Sequence, residues 1–164
     1  MDKAIQHCVA EVQAISAVPD IMNTLAELTG LRFICVAHVT DCTWTACAVM
    51  DQLDFGLKPG DPLDVTTTLC EDVRDTGAAI VIDSVDDSPV YRDHPTPLMY
   101  GFKSYFSLPL FRPCGAYFGT LCGIDPHPAS LNNKTTVTTM RLFAELISKQ
   151  LKTAADVAQA LAPA

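Results

Sequence analysis

The sequence predicts an α+β fold: one mainly antiparallel sheet of five or six strands, with terminal helices on one face and short helices and loops capping the other. Three observations carry this. Apolar residues recur at helical spacing at both ends of the chain. The middle holds short β-branched and aromatic runs punctuated by Gly, Pro, Asn and Asp. Two of these runs, "FKSYFSLPLF" and "AYFGTLCGI", are joined by a Pro, Cys and Gly turn, which makes an antiparallel hairpin.

The elements follow in order. Met1, Ile5, Cys8, Val12 and Ile15 step by four, three, four and three, laying one stripe along a first helix. Pro19 suits the first turn of a second helix, where its missing N–H costs nothing. "DIMNTLAELTG" continues that helix to a left-handed stop at Gly30. "LRFICVAHVT" reads as a strand, "DCT" as a turn and "WTACAVM" as the returning strand. Gly56, Pro59, Gly60 and Pro62 make residues 51–62 a loop. "LDVTTT" is a short strand or an extended lead-in, and "LCEDVRDTG" is a short helix stopped by Gly77. "AAIVID" is a buried strand by its continuous apolar run. "SVDDSPVYRDHPTPLMYG" is irregular, and a long stretch of this kind is uncommon unless it covers something. After the hairpin, "LNNKTTVTTMRLFAELISKQLKTAADVAQALA" reads as one long helix with Asn132 or Asn133 as N-cap.

Along that helix Val137, Met140, Ala144, Ile147, Leu151, Ala154, Ala158 and Leu161 alternate steps of three and four, a heptad seam. Leu142, Phe143 and Leu146 supply a second apolar flank. One flank is free to pack on the sheet while the other meets a partner. The seam therefore predicts a homodimer built from the N- and C-terminal helices, against the plainer reading of packing within one chain.

The totals exclude several classes. The chain has 164 residues, is 49% hydrophobic and 18% charged, and fits one globular domain. Its net charge of −8 repels phosphate backbones, so no nucleic-acid partner is expected. No run is apolar for long enough to span a bilayer, and the polar N-terminus is not a signal peptide, so the expected location is cytoplasmic. The seven cysteines are odd in number and contain no CxxC pair, which removes a zinc ribbon. Cys42 and Cys47 flank Trp44 and are the pair to watch for redox chemistry, with Cys70 and Cys122 beside them as further candidates. The glycines of "CGAYFG" and "GTLCG" follow no phosphate-loop pattern.

The runs "TTTLCEDVRDTGAAIVIDSVDDSPVY", "FKSYFSLPL" and "AYFGTLCGIDPHP" resemble a GAF domain, and the resemblance covers nearly the whole chain. It implies a sensory module that binds a small molecule or dimerises. It also implies coupling, through the last helix, to an output such as a histidine kinase of a two-component system or a cyclic-dinucleotide enzyme. On this reading residues 1–164 are a single GAF domain, with about 150–164 as a signalling or linker helix. The cyclic-nucleotide-binding pattern is disfavoured: Asn133 and Lys134 are adjacent, but no Phe-x-x-x-Asp-Glu follows. In the bilin-binding pattern His94 matches the histidine, and Asp93 stands where the chromophore-linking cysteine would be. The redox-cysteine contexts of the methionine-sulfoxide reductase branch are not recognisable. The cofactor is left unknown.

The expected ligand-binding residues are Trp44, Asp83, Asp86, Tyr91, His94, Tyr100, Tyr105 and Ser107. Tyr and Trp present apolar bodies with polar tips, which suits small-ligand recognition. His94 sits among prolines, where it could meet a ligand, ligate haem or face solvent. The Asp residues follow a buried strand, where a turn or helix cap is the plainer role. Tyr105 and Ser107 share one face of their strand. No Ser or Cys nucleophile stands with a base in sequence context, so the expectation is a non-enzymatic sensor. The alternatives are a ligand-free dimerisation module and a cysteine-based redox sensor.

Overall fold

Apolar stripes on the terminal helices need a sheet face to cover, and they find it. A computed structural model describes residues 3–152. Helices α1 (Lys3–Gln13) and α2 (Val18–Thr29) open the chain; Pro lies in the first turn of α2, and Gly30 stops it at φ 76°. Strands β1 (Phe33–Val39), β2 (Thr43–Asp51) and β3 (Pro62–Asp64) follow. A short turn of helix at Val65–Thr67 leads into α3 (Cys70–Thr76) and β4 (Ile80–Ile82). The irregular stretch contains a second such turn at Val85–Asp87 and the short helix α4 (Pro95–Tyr100). Hairpin strands β5 (Ser104–Phe111) and β6 (Tyr117–Asp125) precede α5 (Lys134–Gln150), which Asn133 caps by accepting from Thr136 N–H.

The six strands form one antiparallel sheet in the order β3-β2-β1-β6-β5-β4. Residues directly opposite in such a ladder point to the same face. Ile34, Val36, Phe106, Leu108 and Leu121 face the terminal helices and form the main core with Leu25, Met140 and Ile147. Phe33, Cys35, Trp44, Ala46 and Cys122 face the other way, toward α3 and the loops. Strands β1 and β6 approach so closely that a Cβ on Gly119 would lie 1.9 Å from the Ala37 carbonyl oxygen.

The last helix departs from expectation. The sequence predicts one helix running past residue 160, whereas α5 stops at Gln150 and Leu151 is extended, with ψ 150°. The cause is local. Leu151 turns its side chain into the core, and both backbone groups of Lys152 are held: its N–H donates to Glu11 and its carbonyl accepts from Arg112 Nη1 at 2.8 Å. The seam residues Met140, Ala144, Ile147 and Leu151 are buried against the chain's own sheet. Leu142 and Leu146 stay exposed. Ala154, Ala158, Leu161 and the expected linker segment lie outside the described residues.

Candidate functional site

A narrow pocket lined almost wholly by apolar and aromatic side chains lies on the sheet face that the terminal helices leave free. Its floor is a row of the ladder in which Cys35 of β1 opposes Cys122 of β6, which opposes Ser107 of β5. Helix α3 lowers Cys70 onto that row. Cys70 Sγ lies 3.2 Å from Thr120 Oγ1, 3.5 Å from Tyr105 Oη and 3.7 Å from Ser107 Oγ. All of these groups are buried. The Cys70 thiol is raised well above its ordinary value by its hydrogen bond with Cys122 and by burial, and that of Cys122 by its bond with Cys35 and by burial. Burial likewise holds the Tyr105 phenol protonated. Cys70 and Cys122 are held as neutral thiols and are poor nucleophiles as they stand.

Aromatic rings make the walls. Phe55 rests between Phe33, at 5.2 Å between ring centroids, and Tyr100, at 6.0 Å. The loop that carries Phe55 is shaped by Asp51, whose carboxylate accepts from the N–H groups of Leu53, Phe55 and Gly56. Burial would raise that carboxyl, but the backbone donors outweigh it and hold it below the usual range. Tyr100 is fixed by its hydroxyl, 2.6 Å from Thr67 Oγ1. Trp44 is 3% exposed and lines the far wall, and its Nε1–H has no hydrogen-bond partner. The space between these atoms is about 440 Å³ counting the open mouth, but only about 50 Å³ is clear enough for the centre of a water-sized sphere. The pocket is thus present but narrow, with Phe55 as its plug.

Of the residues expected to bind a ligand, Trp44, Tyr100 and Tyr105 line this pocket, and Ser107 lies beneath it against Cys70. The other four stand outside it. The Asp83 carboxylate accepts from Leu131 and Asn132 N–H and fixes the approach to α5. Asp86 pairs with Lys103 at 2.9 Å on the surface. Tyr91 borders a separate shallow cleft with Asp83. His94 caps α4, its Nδ1 accepting from Thr96 N–H at 3.2 Å. Asp93, at the bilin-cysteine position, is 93% exposed and pairs with Arg92. Cys42 and Cys47 are separated: Cys42 is exposed, whereas Cys47 is buried in the helix-side core with its thiol pushed up to about 12 by burial. Among the described residues no group of His, Cys, Asp or Glu side chains is placed to hold a metal ion. No helix among them is long and apolar enough to cross a membrane.

Sequence reasoning missed the plug. Leu53, Phe55 and Leu57 alternate through "QLDFGLKPG", and three apolar residues at every second position of a loop were the available signal.

A family model described as GAF domain matches residues 13–151. The chain belongs to the GAF family. Solved structures agree with this GAF fold at low sequence identity. Free methionine-R-sulfoxide reductase from Neisseria meningitidis, in complex with its substrate, is 18% identical, with a TM-score of 0.60 over 98% of this chain and 95% of that one. The chromophore-binding domain of the bacteriophytochrome RpBphP3 from R. palustris is 14% identical, with a TM-score of 0.64 over 96% of this chain and 62% of that one. Residues 122 to 287 of a methyl-accepting chemotaxis protein are 17% identical, with a TM-score of 0.61 over 96% of this chain and 99% of that one. No curated protein matches the chain. The expectation of a non-enzymatic domain is corrected here. A reductase stands among the structural neighbours of this GAF domain, so the fold gives no ground for excluding catalysis.

Proposed function

We propose that this chain is a sensory or regulatory GAF domain that binds a small organic molecule between its sheet and the α3–α4 cap. The observation that carries this is a pocket lined by apolar side chains, narrow at about 50 Å³ of clear space, whose lining includes Trp44 with a buried, unpartnered indole N–H. Ligand sites share this character, an apolar and aromatic lining with few polar groups. Neighbours in phytochrome and chemotaxis proteins support a signalling setting. Strands β5 and β6 carry Tyr105, Cys122 and Ile124 at the pocket, and Arg112 in their connecting turn grips Lys152. A ligand that shifts these strands thereby biases the end of α5, by no more than its difference in affinity for the two arrangements.

In this reading residues 1–164 are one domain, with about 150–164 leading to an output such as a histidine kinase or a cyclic-dinucleotide enzyme. The exposed Leu28, Leu142 and Leu146 on α2 and α5 support a homodimer through the terminal helices. The setting is the cytoplasm, where the cysteines stay reduced. Native mass spectrometry of the purified protein, with its absorption spectrum, is the test. A dimer carrying an added small-molecule mass supports the reading. A monomer with no added mass, and no thermal shift across a small-molecule panel, sinks it.

A cysteine-based redox function is the second reading, favoured by the meeting of Cys35, Cys70 and Cys122 under the pocket. With hydrogen peroxide as oxidant, Cys70 and Cys122 would lose two hydrogens to form a disulfide while the peroxide becomes two waters. Peptide mapping after peroxide treatment decides it: a Cys70–Cys122 crosslink supports this reading, and intact thiols at both positions end it.

A further inference from the structure

The polar side chains that line the pocket are committed to internal partners, with one exception. Thr68 Oγ1 donates to the Val65 carbonyl at 2.8 Å, and Thr96 Oγ1 to the Thr67 carbonyl at 3.1 Å. Tyr100 meets Thr67, Tyr105 meets Cys70, and the Cys122 thiol lies opposite Cys35 in the ladder. Within this lining Trp44 Nε1 alone is buried and unmatched; Tyr117 Oη, likewise unmatched, does not line the pocket. An indole N–H can only donate, and keeping it dry and unpaired carries a penalty that a bound acceptor would remove. No Asp, Glu, Lys, Arg or His lines the pocket, so a charged ligand would be buried without a counter-charge.

We propose that this pocket takes a neutral, flat, largely apolar ring compound with one hydrogen-bond acceptor, bound by the Trp44 Nε1–H. The proposal rests on the pocket-binding reading above and narrows its ligand class. Phe33 and Tyr100 offer ring faces for stacking. The clear space of about 50 Å³ is below the roughly 150 Å³ of an apolar cavity that admits benzene, so Phe55 must swing outward to admit the ring. Nucleotides and zwitterionic amino acids are excluded by the same lack of charged lining.

Trp44 is the chain's single tryptophan, so its indole N–H gives one signal in a nitrogen–proton correlation spectrum. The full chain is titrated with three probes of one shape: naphthalene, quinoline, which is uncharged at neutral pH, and N-methylquinolinium. Quinoline should move the indole signal downfield and bind roughly three- to tenfold tighter than naphthalene, while N-methylquinolinium binds more weakly than either. Trp44→Phe should abolish the advantage of quinoline, read as the ratio of quinoline to naphthalene affinity within that variant; the wild-type comparison stands even if that variant folds poorly. Equal binding of quinoline and naphthalene, or tightest binding of the cation, overturns the ligand class but leaves the pocket reading intact. No probe-induced shift at Trp44, Phe33 or Tyr100 overturns both.

Discussion

Glu11 of α1 and Arg112 of the β5–β6 turn form a buried ion pair, 2.9 Å between Oε2 and Nη1, with side chains 5% and 9% exposed. The guanidinium also lies over the Phe118 ring at 5.0 Å. Both partners hold the backbone of Lys152, so this one contact joins the first helix, the hairpin and the end of the last helix.

Removing one member strands the other. Glu11→Ala should lower the unfolding free energy by about 3–5 kcal/mol, read from urea denaturation. Glu11→Leu combined with Arg112→Met should cost much less than either charge removal alone, because no buried charge is left unmatched. A double variant as unstable as Glu11→Ala would show that packing, not charge pairing, sets the cost.

Asp125 predicts an acid-side effect. Its carboxylate accepts from Arg32 Nε at 2.9 Å, Arg32 Nη2 at 3.0 Å and His127 N–H at 2.9 Å. Burial alone would raise this carboxyl; the Arg32 fork and the backbone donors outweigh it and hold it below its ordinary value. A depressed carboxyl adds stability above its unfolded pKa, and that stability is lost as pH falls through the folded value. The gap in urea midpoint between wild type and Asp125→Asn should be flat above about pH 5 and shrink below about pH 4. A gap independent of pH down to acid unfolding contradicts the assignment.

Phe55→Ala should unplug the pocket. Phe55 is only half-buried, so the loss of stability should be below the roughly 3–5 kcal/mol of a fully buried phenylalanine. The fluorescence of the single tryptophan should become more sensitive to acrylamide, a neutral quencher small enough to enter. Unchanged quenching would place the access route to Trp44 elsewhere.

Gly119→Ala should damage the centre of the sheet. The added methyl meets a backbone carbonyl, which cannot rotate aside as a side chain can. We expect a cost of about 3 kcal/mol, at the upper end for overpacking. Calorimetry would show it as a lowered melting temperature, whereas Gly115→Ala, where the new Cβ meets nothing within 4 Å, should lower it only through its φ of +92°.

Much of this was legible from residue periodicity. The stripe Cys8, Val12, Ile15 and the seam Met140, Ala144, Ile147 are buried where helical spacing puts them. Trp44 and Tyr105 lie on pocket-facing strand positions, which alternation can reveal. The end of α5 was not legible, because its stop depends on Glu11 and Arg112, remote in sequence from Lys152. His94 and Asp83 looked like site residues because polar groups in irregular segments suit ligands equally well. Only the fold shows that Asp83 Oδ1 accepts from two backbone N–H groups and that His94 Nδ1 caps α4. The thiol floor was hidden for a related reason: Cys35, Cys70 and Cys122 come from three separate elements, and only the strand register and the descent of α3 bring them together.

The order of the sheet bears on how this chain reaches its native state. Strand β1 sits between β2, its neighbour in sequence, and β6, from the far end of the chain. Arg32 and Asp125, which fasten that central ladder at one end, are 93 residues apart. The early hairpin of β1 and β2 must therefore wait with an open edge until almost the whole domain has emerged from the ribosome. Non-local pairing of this kind slows folding, and an unpaired edge is a template for other chains. Refolding yield should thus fall with rising protein concentration, and any truncation that removes β6 should produce aggregates rather than a smaller stable domain.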